Sequence, residues 1–201
     1  MKEDMYVLAH EIKNPLCVVN GYLEMLNNNN LERYKRIIKE EVDTSIEILD
    51  NYLEYNKLSL EKEEFDINLF LLDIKKNMYD YLKKSNIHLK ISLLDAEIYV
   101  NADYNKLKQV FYNIIKNSQE SGSRNINIAY QTIGNKIVIN ILNDGRKCDN
   151  IDLIGTSYSS KVFGNGIGMK LSKKIIMLHK GQIKYFNNKN GVTCQITLSL
   201  E

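Results

Sequence analysis

Residues 5–26 carry apolar side chains at steps of three and four residues, and this spacing is the strongest constraint on the fold. The stripe consists of Met5, Leu8, Ile12, Leu16, Val19, Leu23 and Leu26. Such steps place the side chains on one face of an α-helix. Asparagine prefers turns to helix interiors, so the run NNNN at residues 27–30 predicts that this helix ends there.

A second stripe follows the asparagine run and predicts a second helix. It consists of Ile38, Val42, Ser45, Leu49, Tyr52 and Asn56. Neither helix can bury its stripe alone, and a spacing of seven residues suits packing in a bundle. We therefore expect residues 1–62 to form a helical hairpin that associates with a second copy into a dimeric four-helix bundle.

Residues 63–201 have a mixed pattern that predicts an α/β layer, so the expected fold class is α+β. The pattern predicts helices at 67–84, at 104–121 and after the glycine-rich turn of 164–181, and strands at 88–94, 126–133, 136–143, 182–188 and 191–200. The pair Gly134-Asn135 is a hairpin turn between two of these strands. The segment from Gly145 to Phe163 has no clear period and predicts a loop.

Composition and charge exclude several classes of protein. Hydrophobic residues make up 44% and charged residues 26% of the 201 residues, as in soluble globular proteins. A net charge of +2 gives no reason to expect a nucleic-acid partner. The chain has no long apolar run and its first residues, MKEDMYVLAHE, lack the apolar stretch of a signal peptide. We therefore expect no membrane segment in this chain.

The cysteines indicate the compartment. Cys17, Cys148 and Cys194 are widely spaced and lack the spacing of a metal site or a disulfide framework. Reduced thiols are typical of the cytoplasm, so we expect a cytoplasmic protein.

His10 is the first candidate for chemistry, within LAHEIKNPL at residues 8–16. At about 100° per residue, His10 lies roughly 160° from the centre of the apolar stripe, on the solvent face. Asn14 falls on nearly the same face, and Glu11 falls between that face and the seam. A neutral imidazole is a good nucleophile, and an adjacent carboxylate can accept its other proton. The residues alone leave open a nucleophile or a solvated surface histidine.

Two later patterns suit a phosphate and a cation. Gly164, Gly166 and Gly168 precede a helix, where glycines let backbone N–H groups approach a phosphate. Asn113 and Asn117 are four residues apart on one helical face, where amide oxygens can bind a hard cation such as Mg²⁺. A structural turn and two solvated asparagines are the alternative interpretations.

The order of these motifs resembles the sensor histidine kinase core of two-component systems, over essentially the whole chain. HEIKNPL (10–16) resembles the H box, and QVFYNIIKNSQES (109–121) resembles the N box. ILNDG (141–145) resembles the first glycine box, and TSYSSKVFGNGIGMKL (156–171) resembles the F-box segment and second glycine box. The resemblance implies a dimerising hairpin, a Bergerat-type α/β sandwich that binds ATP, and an ATP-dependent, autophosphorylating protein histidine kinase.

The resemblance also implies roles for residues of the hairpin. His10 would receive the γ-phosphoryl group of ATP and pass it to an aspartate in the receiver domain of a response regulator. Glu11 would orient the imidazole or act as its base. Asn14 would help a water molecule attack the phosphoaspartate of the regulator, which would be a phosphatase activity.

In the second domain the resemblance implies a site for ATP and Mg²⁺. Asn117 would bind Mg²⁺, and Asn113 would lie beside it near the phosphates. Gly145 would shape the adenine pocket, and Lys161 would approach the γ-phosphate. The phosphates would be held by the glycines of the second glycine box, which are Gly164, Gly166 and Gly168.

The first glycine box departs from the usual D-x-G-x-G of the family. Asn143 stands at the aspartate position, where it would offer the adenine amino group an uncharged carbonyl oxygen, and Lys147 replaces the second glycine. One alternative is therefore a histidine phosphotransferase that relays phosphate between response regulators and has a degenerate ATP domain. Another is a regulatory module that docks a response regulator and dephosphorylates it through Asn14.

Overall fold

The computed structural model describes residues 2–155 and 166–200, and the chain divides into two compact units, residues 1–57 and residues 58–201. The first unit is helical and the second is built of helices and strands, so the predicted α+β class is confirmed. Within the described ranges, no helix is both long and apolar enough to cross a bilayer.

The first unit is a hairpin of α1 (Lys2–Glu24) and α2 (Leu31–Lys57), and α1 continues through Pro15. The asparagine run ends α1 as predicted, because its side chains bond to the turn backbone. Oδ1 of Asn27 accepts from the N–H of Asn29 at 2.9 Å, and Oδ1 of Asn30 accepts from the N–H of Asn27 at 2.8 Å.

The contact between α1 and α2 follows the predicted stripes only in part. Among the described side chains of the hairpin, the most buried are Glu11 and Pro15 on α1 and Ser45 and Ile48 on α2, and of these only Ser45 belongs to a predicted stripe. Several stripe residues stay exposed: Leu16 by 46%, Leu23 by 52%, Val42 by 37% and Leu49 by 41%. Each stripe therefore joins two neighbouring apolar faces, and the other helix of the hairpin covers only one of them.

The second unit contains a five-stranded sheet, a two-stranded sheet and four helices among the described residues. In chain order the elements are β1 (Glu63–Asp66), α3 (Ile67–Asn77), α4 (Tyr79–Lys84), β2 (His88–Ser92), β3 (Tyr99–Ala102), α5 (Tyr104–Glu120), β4 (Asn125–Ile133), β5 (Lys136–Asn143), a 3₁₀ turn (Ile151–Leu153), α6 (Gly166–Leu178), β6 (Gln182–Asn187) and β7 (Val192–Ser199).

The large sheet has the order β2-β4-β5-β7-β6, in which β2 runs parallel to β4 and the other pairs are antiparallel. The predicted hairpin turn joins β4 to β5, and Gly134 there has φ +58°, a value that glycine adopts without strain. The small sheet pairs β1 with β3. These four-residue strands were not predicted, because they are too short to show a period. The predicted helix over 67–84 is divided at Met78, and the strand predicted to reach 94 ends at Ser92.

One face of the large sheet packs against the helices and forms the core. Ile128, Ile139 and Ile196 on three strands are fully buried, as are Phe70 on α3 and Phe111 on α5, whose ring centroids lie 5.3 Å apart. Burying a side chain of this size contributes about 1.5–3 kcal/mol. The core therefore fixes α5 firmly against the sheet.

Polar contacts around Asp103 fasten the start of α5 to the end of α6. The Asp103 carboxylate caps α5 by accepting from the N–H of Lys106 at 3.0 Å, and it also accepts from the N–H of Glu61 at 2.8 Å. Nε2 of His179, just after α6, accepts from the N–H of Asp103 at 2.8 Å. Burial lowers the pKa of His179, which favours the neutral ring that this hydrogen bond requires.

Candidate active site

His10 is exposed on α1, on the face predicted from its helical position. Its Nδ1 lies 3.5 Å from Nδ2 of Asn14, one turn further along the helix. The two side chains thus form a small polar surface that another macromolecule can reach. Nε2 lies on the far side of the imidazole ring from Asn14.

Glu11 lies deeper than its sequence position suggested. Its side chain is only 5% exposed, so it belongs to the interior of the hairpin rather than to the border of the solvent face. A helix turns by about 100° per residue, which separates the direction of Glu11 from that of its neighbour His10. A buried carboxylate is costly unless it is hydrogen-bonded or paired, so its position is a specific feature of the hairpin.

In the second unit, the asparagine motif and the glycine motif meet. Nδ2 of Asn113 on α5 donates to the carbonyl oxygen of Gly168 at 3.1 Å and to Oγ of Ser172 at 3.2 Å. A Cβ added at Gly168 would lie 3.5 Å from the Asn113 amide, which is ordinary contact. Ser172 is fully buried and was not predicted; its position four residues after Gly168, on the same helical face, was the available signal.

Asn117 lies one turn after Asn113, and its amide nitrogen contacts Sδ of Met169 at the start of α6. The amide oxygen is at the opposite end of the group. Mg²⁺ prefers oxygen ligands and often keeps waters and substrate phosphates around it. In the described part of the chain, no three His, Cys, Asp or Glu residues form a metal-binding group. The donor set therefore fits a cation that takes one oxygen from Asn117 and the others from phosphates and water.

The second glycine box leads directly into α6, which begins at Gly166 and has Gly168 in its first turn. The first backbone N–H groups of a helix have no partner within it, and they lie at its positive end. Such a terminus suits phosphate oxygens. Lys161 and Gly164, the other candidates from this segment, lie outside the described residues.

Asn143 ends β5 and is half-buried. Its Oδ1 accepts from the N–H of Gly145 at 3.1 Å and from the N–H of Val192 at 3.3 Å. Its Nδ2 donates to Oγ of Ser118 at 3.1 Å. Two backbone groups of the protein thus already bond to the oxygen that the resemblance assigns to the adenine amino group, and that assignment stays a prediction.

Gly145 is buried at a point where a larger residue does not fit. A Cβ there would lie 2.0 Å from Oγ of Ser121 and 2.6 Å from Oγ of Ser123. Gly191, which was not predicted, is equally confined, since its Cβ would lie 2.4 Å from the carbonyl oxygen of Asn143. An Asn-Gly pair before the last strand was the sequence signal for this close approach.

Asp144, which stands between Asn143 and Gly145 in the first glycine box, is a structural residue. Its carboxylate accepts from the N–H of Arg124 at 2.8 Å and from the N–H of Asn125 at 2.9 Å. Burial acts to raise the pKa of this carboxyl, but hydrogen bonds from Asn125 and Arg124 outweigh it and hold the pKa below the ordinary value. Asp144 thus fastens the end of β5 to the start of β4.

Two families match this chain, and together they cover most of it. Residues 5–61 match the His Kinase A (phospho-acceptor) domain. Residues 102–201 match the family described as histidine kinase-, DNA gyrase B-, and HSP90-like ATPase. The first match contains His10, and the second contains both asparagines of α5 and the glycines of α6.

The chain is also similar to curated proteins of known name. It is 31% identical to sporulation kinase B of Bacillus subtilis, over 95% of this chain and 48% of the relative. It is 28% identical to the sensor protein VanS of Enterococcus faecium, over 95% of this chain and 55% of the relative. The chain thus spans about half the length of the curated relatives it matches.

Solved structures share the fold. Histidine kinase ThkA, in its complex with the response regulator protein TrrA, matches with a TM-score of 0.84 at 24% identity, over 99% of this chain and 61% of that one. Histidine kinase AdeS of Acinetobacter baumannii matches with a TM-score of 0.78 at 20% identity, over 96% of this chain and 98% of that one.

Proposed function

Because this chain belongs to the histidine kinase family, we propose that it is an ATP-dependent, autophosphorylating kinase whose phosphoryl acceptor is His10. The observation that carries this proposal is the contact of Asn113 with Gly168, which joins the asparagine helix to the glycine turn within an ATPase-family domain. An exposed histidine in a phospho-acceptor domain supplies the other half of the reaction. The hairpin of the predicted domain 1–62 accepts the phosphoryl group, and the predicted domain 63–201 binds the nucleotide.

The described residues divide the work of phosphoryl transfer, which depends on positioning and charge neutralisation. The first turn of α6 would hold phosphate oxygens, and Asn117 would supply an oxygen to Mg²⁺, which would neutralise phosphate charge when bound. The lone pair of Nε2 of His10 forms the new N–P bond while the bond between the γ-phosphorus and the leaving ADP oxygen breaks. Glu11, whose carboxylate is buried inside the hairpin, would have to reorient in order to position the ring or take its proton, and Gly145 would shape the base pocket.

We further propose that the phosphoryl group passes from His10 to an aspartate of a response regulator. The likeness to ThkA, whose solved structure contains a response regulator, supports this partner. Asn14, one helical turn from His10, would help a water molecule hydrolyse the phosphoaspartate of the regulator.

The hairpin also supports a homodimer. Its uncovered apolar side chains include Leu23, Ile46 and Leu53, which are 52%, 50% and 54% exposed. Exposed apolar surface of this extent is typical of an interaction site. Association of two hairpins would bury it as a four-helix bundle, the geometry in which such stripes pack.

One observation favours a second candidate function. The acceptor oxygen of Asn143 is occupied within the protein, and Lys147 takes the place of the second glycine. Both features weaken the usual base site. A histidine phosphotransferase, which would receive phosphate from one response regulator and pass it to another, therefore remains the second candidate.

The test compares labelling by γ-labelled ATP and Mg²⁺ in the wild type and in His10→Gln. We expect acid-labile, base-stable label in the wild type and none in His10→Gln, with nucleotide binding unchanged. His88→Gln is the matched control, because His88 is also exposed but lies on β2; it should retain the label.

Label that persists in His10→Gln would contradict the assignment of the acceptor. An unlabelled wild type that accepts a phosphoryl group from a phosphorylated receiver domain would instead support the phosphotransferase.

A further inference from the structure

The side chain of Asn143 has one fixed orientation. Its oxygen faces the backbone N–H groups of Gly145 and Val192, which can only donate. Its nitrogen faces Oγ of Ser118, whose own hydrogen is directed to the carbonyl oxygen of Ile114 at 2.9 Å. If the amide were rotated by about 180°, its own N–H groups would face the N–H donors of Gly145 and Val192. The network therefore sets the orientation of the amide at all three contacts.

Asn143 differs from an aspartate in the kind of hydrogen bond that it offers at the end of β5. A carbonyl oxygen has two acceptor positions, and both are used. The amide nitrogen has two hydrogens, and Ser118 takes one. Among the described residues, the second N–H of Asn143 has no acceptor. A ligand that contacts the amide nitrogen of the half-buried Asn143 would therefore meet a donor, whereas an aspartate here would present an acceptor.

Purine bases differ in the sense of the group at their 6-position. Adenine carries an amino donor there, and guanine carries an oxo acceptor. A donor in the protein pairs with the oxo group and opposes the amino group. Adenine still offers ring nitrogens as acceptors, so an N–H donor reduces the advantage of adenine without excluding it.

We propose that the nucleotide site has relaxed base selectivity and accepts 6-oxopurine triphosphates such as GTP alongside ATP, with Asn143 as the residue that sets this selectivity. The inference rests on the proposed function, in which the end of β5 and Gly145 hold the base. It adds the class of substrate that this particular chain admits.

The experiment measures the Kd of ATP and of GTP, each with Mg²⁺, by displacement of a fluorescent nucleotide from the full chain. We expect the two Kd values of the wild type to lie within about fivefold of each other. A well-placed acceptor would separate the two bases by at least about that factor, and Asn143 does not supply such an acceptor. Asn143→Asp restores an acceptor, and it should favour ATP over GTP by about tenfold or more.

Asn140→Asp is the matched control. It makes the same change of charge on β5, but Asn140 points to the opposite face of the sheet, where its Oδ1 accepts from Nε2 of Gln195 at 2.9 Å. An aspartate preserves that acceptor, so the ratio of the two Kd values should equal that of the wild type.

The outcomes separate the inference from the function on which it rests. A wild type that binds ATP but prefers it to GTP by more than about fivefold overturns the inference and leaves the kinase proposal standing. A folded Asn143→Asp with an unchanged ratio overturns the role of Asn143. A wild type that binds neither nucleotide overturns the proposed function together with the inference.

Discussion

The hairpin and the α/β unit differ in how completely one chain buries their apolar side chains. In the α/β unit, Ile139, Ile196 and Phe111 are fully buried. In the hairpin, Ile48 reaches 1% exposure, but Ile46 and Leu53 in the same helix remain about half exposed, at 50% and 54%. The α/β core is thus complete in a single chain, whereas the apolar surface of the hairpin exceeds what two helices can cover.

The sharpest test of this difference is a cavity in the α/β core. Ile139→Ala should lower the free energy of unfolding of the α/β unit by about 2–5 kcal/mol, through lost burial and an unfilled cavity. The measurement is urea denaturation followed by circular dichroism and by tyrosine fluorescence, since the chain has no tryptophan. Ile133→Ala is the matched control, because Ile133 on β4 is 57% exposed and should cost far less. Equal losses of unfolding free energy in the two variants would mean that Ile139 does not lie in the core.

A second test uses the confined glycine of the α/β unit. Gly145→Ala should lower the free energy of unfolding by about 1–3 kcal/mol, because its Cβ would overlap Oγ of Ser121 and force the buried side chains of Ser121 and Ser123 to move. Gly21→Ala in the hairpin is the control, since a Cβ there meets nothing within 4 Å. Thermal unfolding of both variants checks the prediction, and an unaffected Gly145→Ala would contradict the tight approach at the end of β5.

The third test addresses the hairpin through protein concentration. A dimeric hairpin should lose about 1.4 kcal/mol of apparent stability per mole of dimer for each tenfold dilution, because folding is then linked to association. The α/β unit should not respond to dilution. Sedimentation velocity and melting curves at several concentrations measure both.

Variants of α2 identify the surface responsible. Leu53→Asp places a charge in the uncovered apolar face and should shift the hairpin towards monomer. Arg33→Asp adds a carboxylate to the same helix on a different side, and it should leave the association unchanged. Concentration-independent melting of the wild-type hairpin would refute the dimer.

The smallest effect concerns pH and the α/β unit alone. Burial, with the nearby positive charge of Lys62, lowers the pKa of His179 below its ordinary value, although Asp103 and the carbonyl oxygen of Ile175 partly oppose the shift. The unfolded chain therefore binds a proton at a pH where the folded chain does not. The stabilisation is fully present above about pH 6.5 and is lost as pH falls through the lowered pKa of the folded state.

Urea denaturation at pH 7.5 and pH 5.5 measures this dependence. His179→Gln keeps an acceptor for the N–H of Asp103 but does not titrate, so its stability should vary less with pH than that of the wild type. His88→Gln, which alters an exposed histidine, should keep the wild-type slope. A slope that is equal in all three proteins would show that His179 is not responsible.

The sequence predicted the elements and the motifs better than it predicted their contacts. The hairpin turn at Gly134 and the helix that carries Asn113 and Asn117 follow from local chemistry, and they lie where they were predicted. The depth of Glu11 was not predictable, because the stripe on α1 served two contact faces and periodicity does not say which is covered first. The orientation of Asn143 depends on Val192, which is remote in sequence and reaches it only through the sheet.

The bond between Glu61 and Asp103 has a practical consequence for anyone who wishes to produce the α/β unit separately. The sequence pattern changes near residue 62, which invites a cut immediately after it. Such a cut would remove a backbone donor from the carboxylate that begins α5, the helix of the nucleotide site. A version that starts at Leu58 retains this anchor, and it is the more promising starting material for nucleotide titrations and ligand screening.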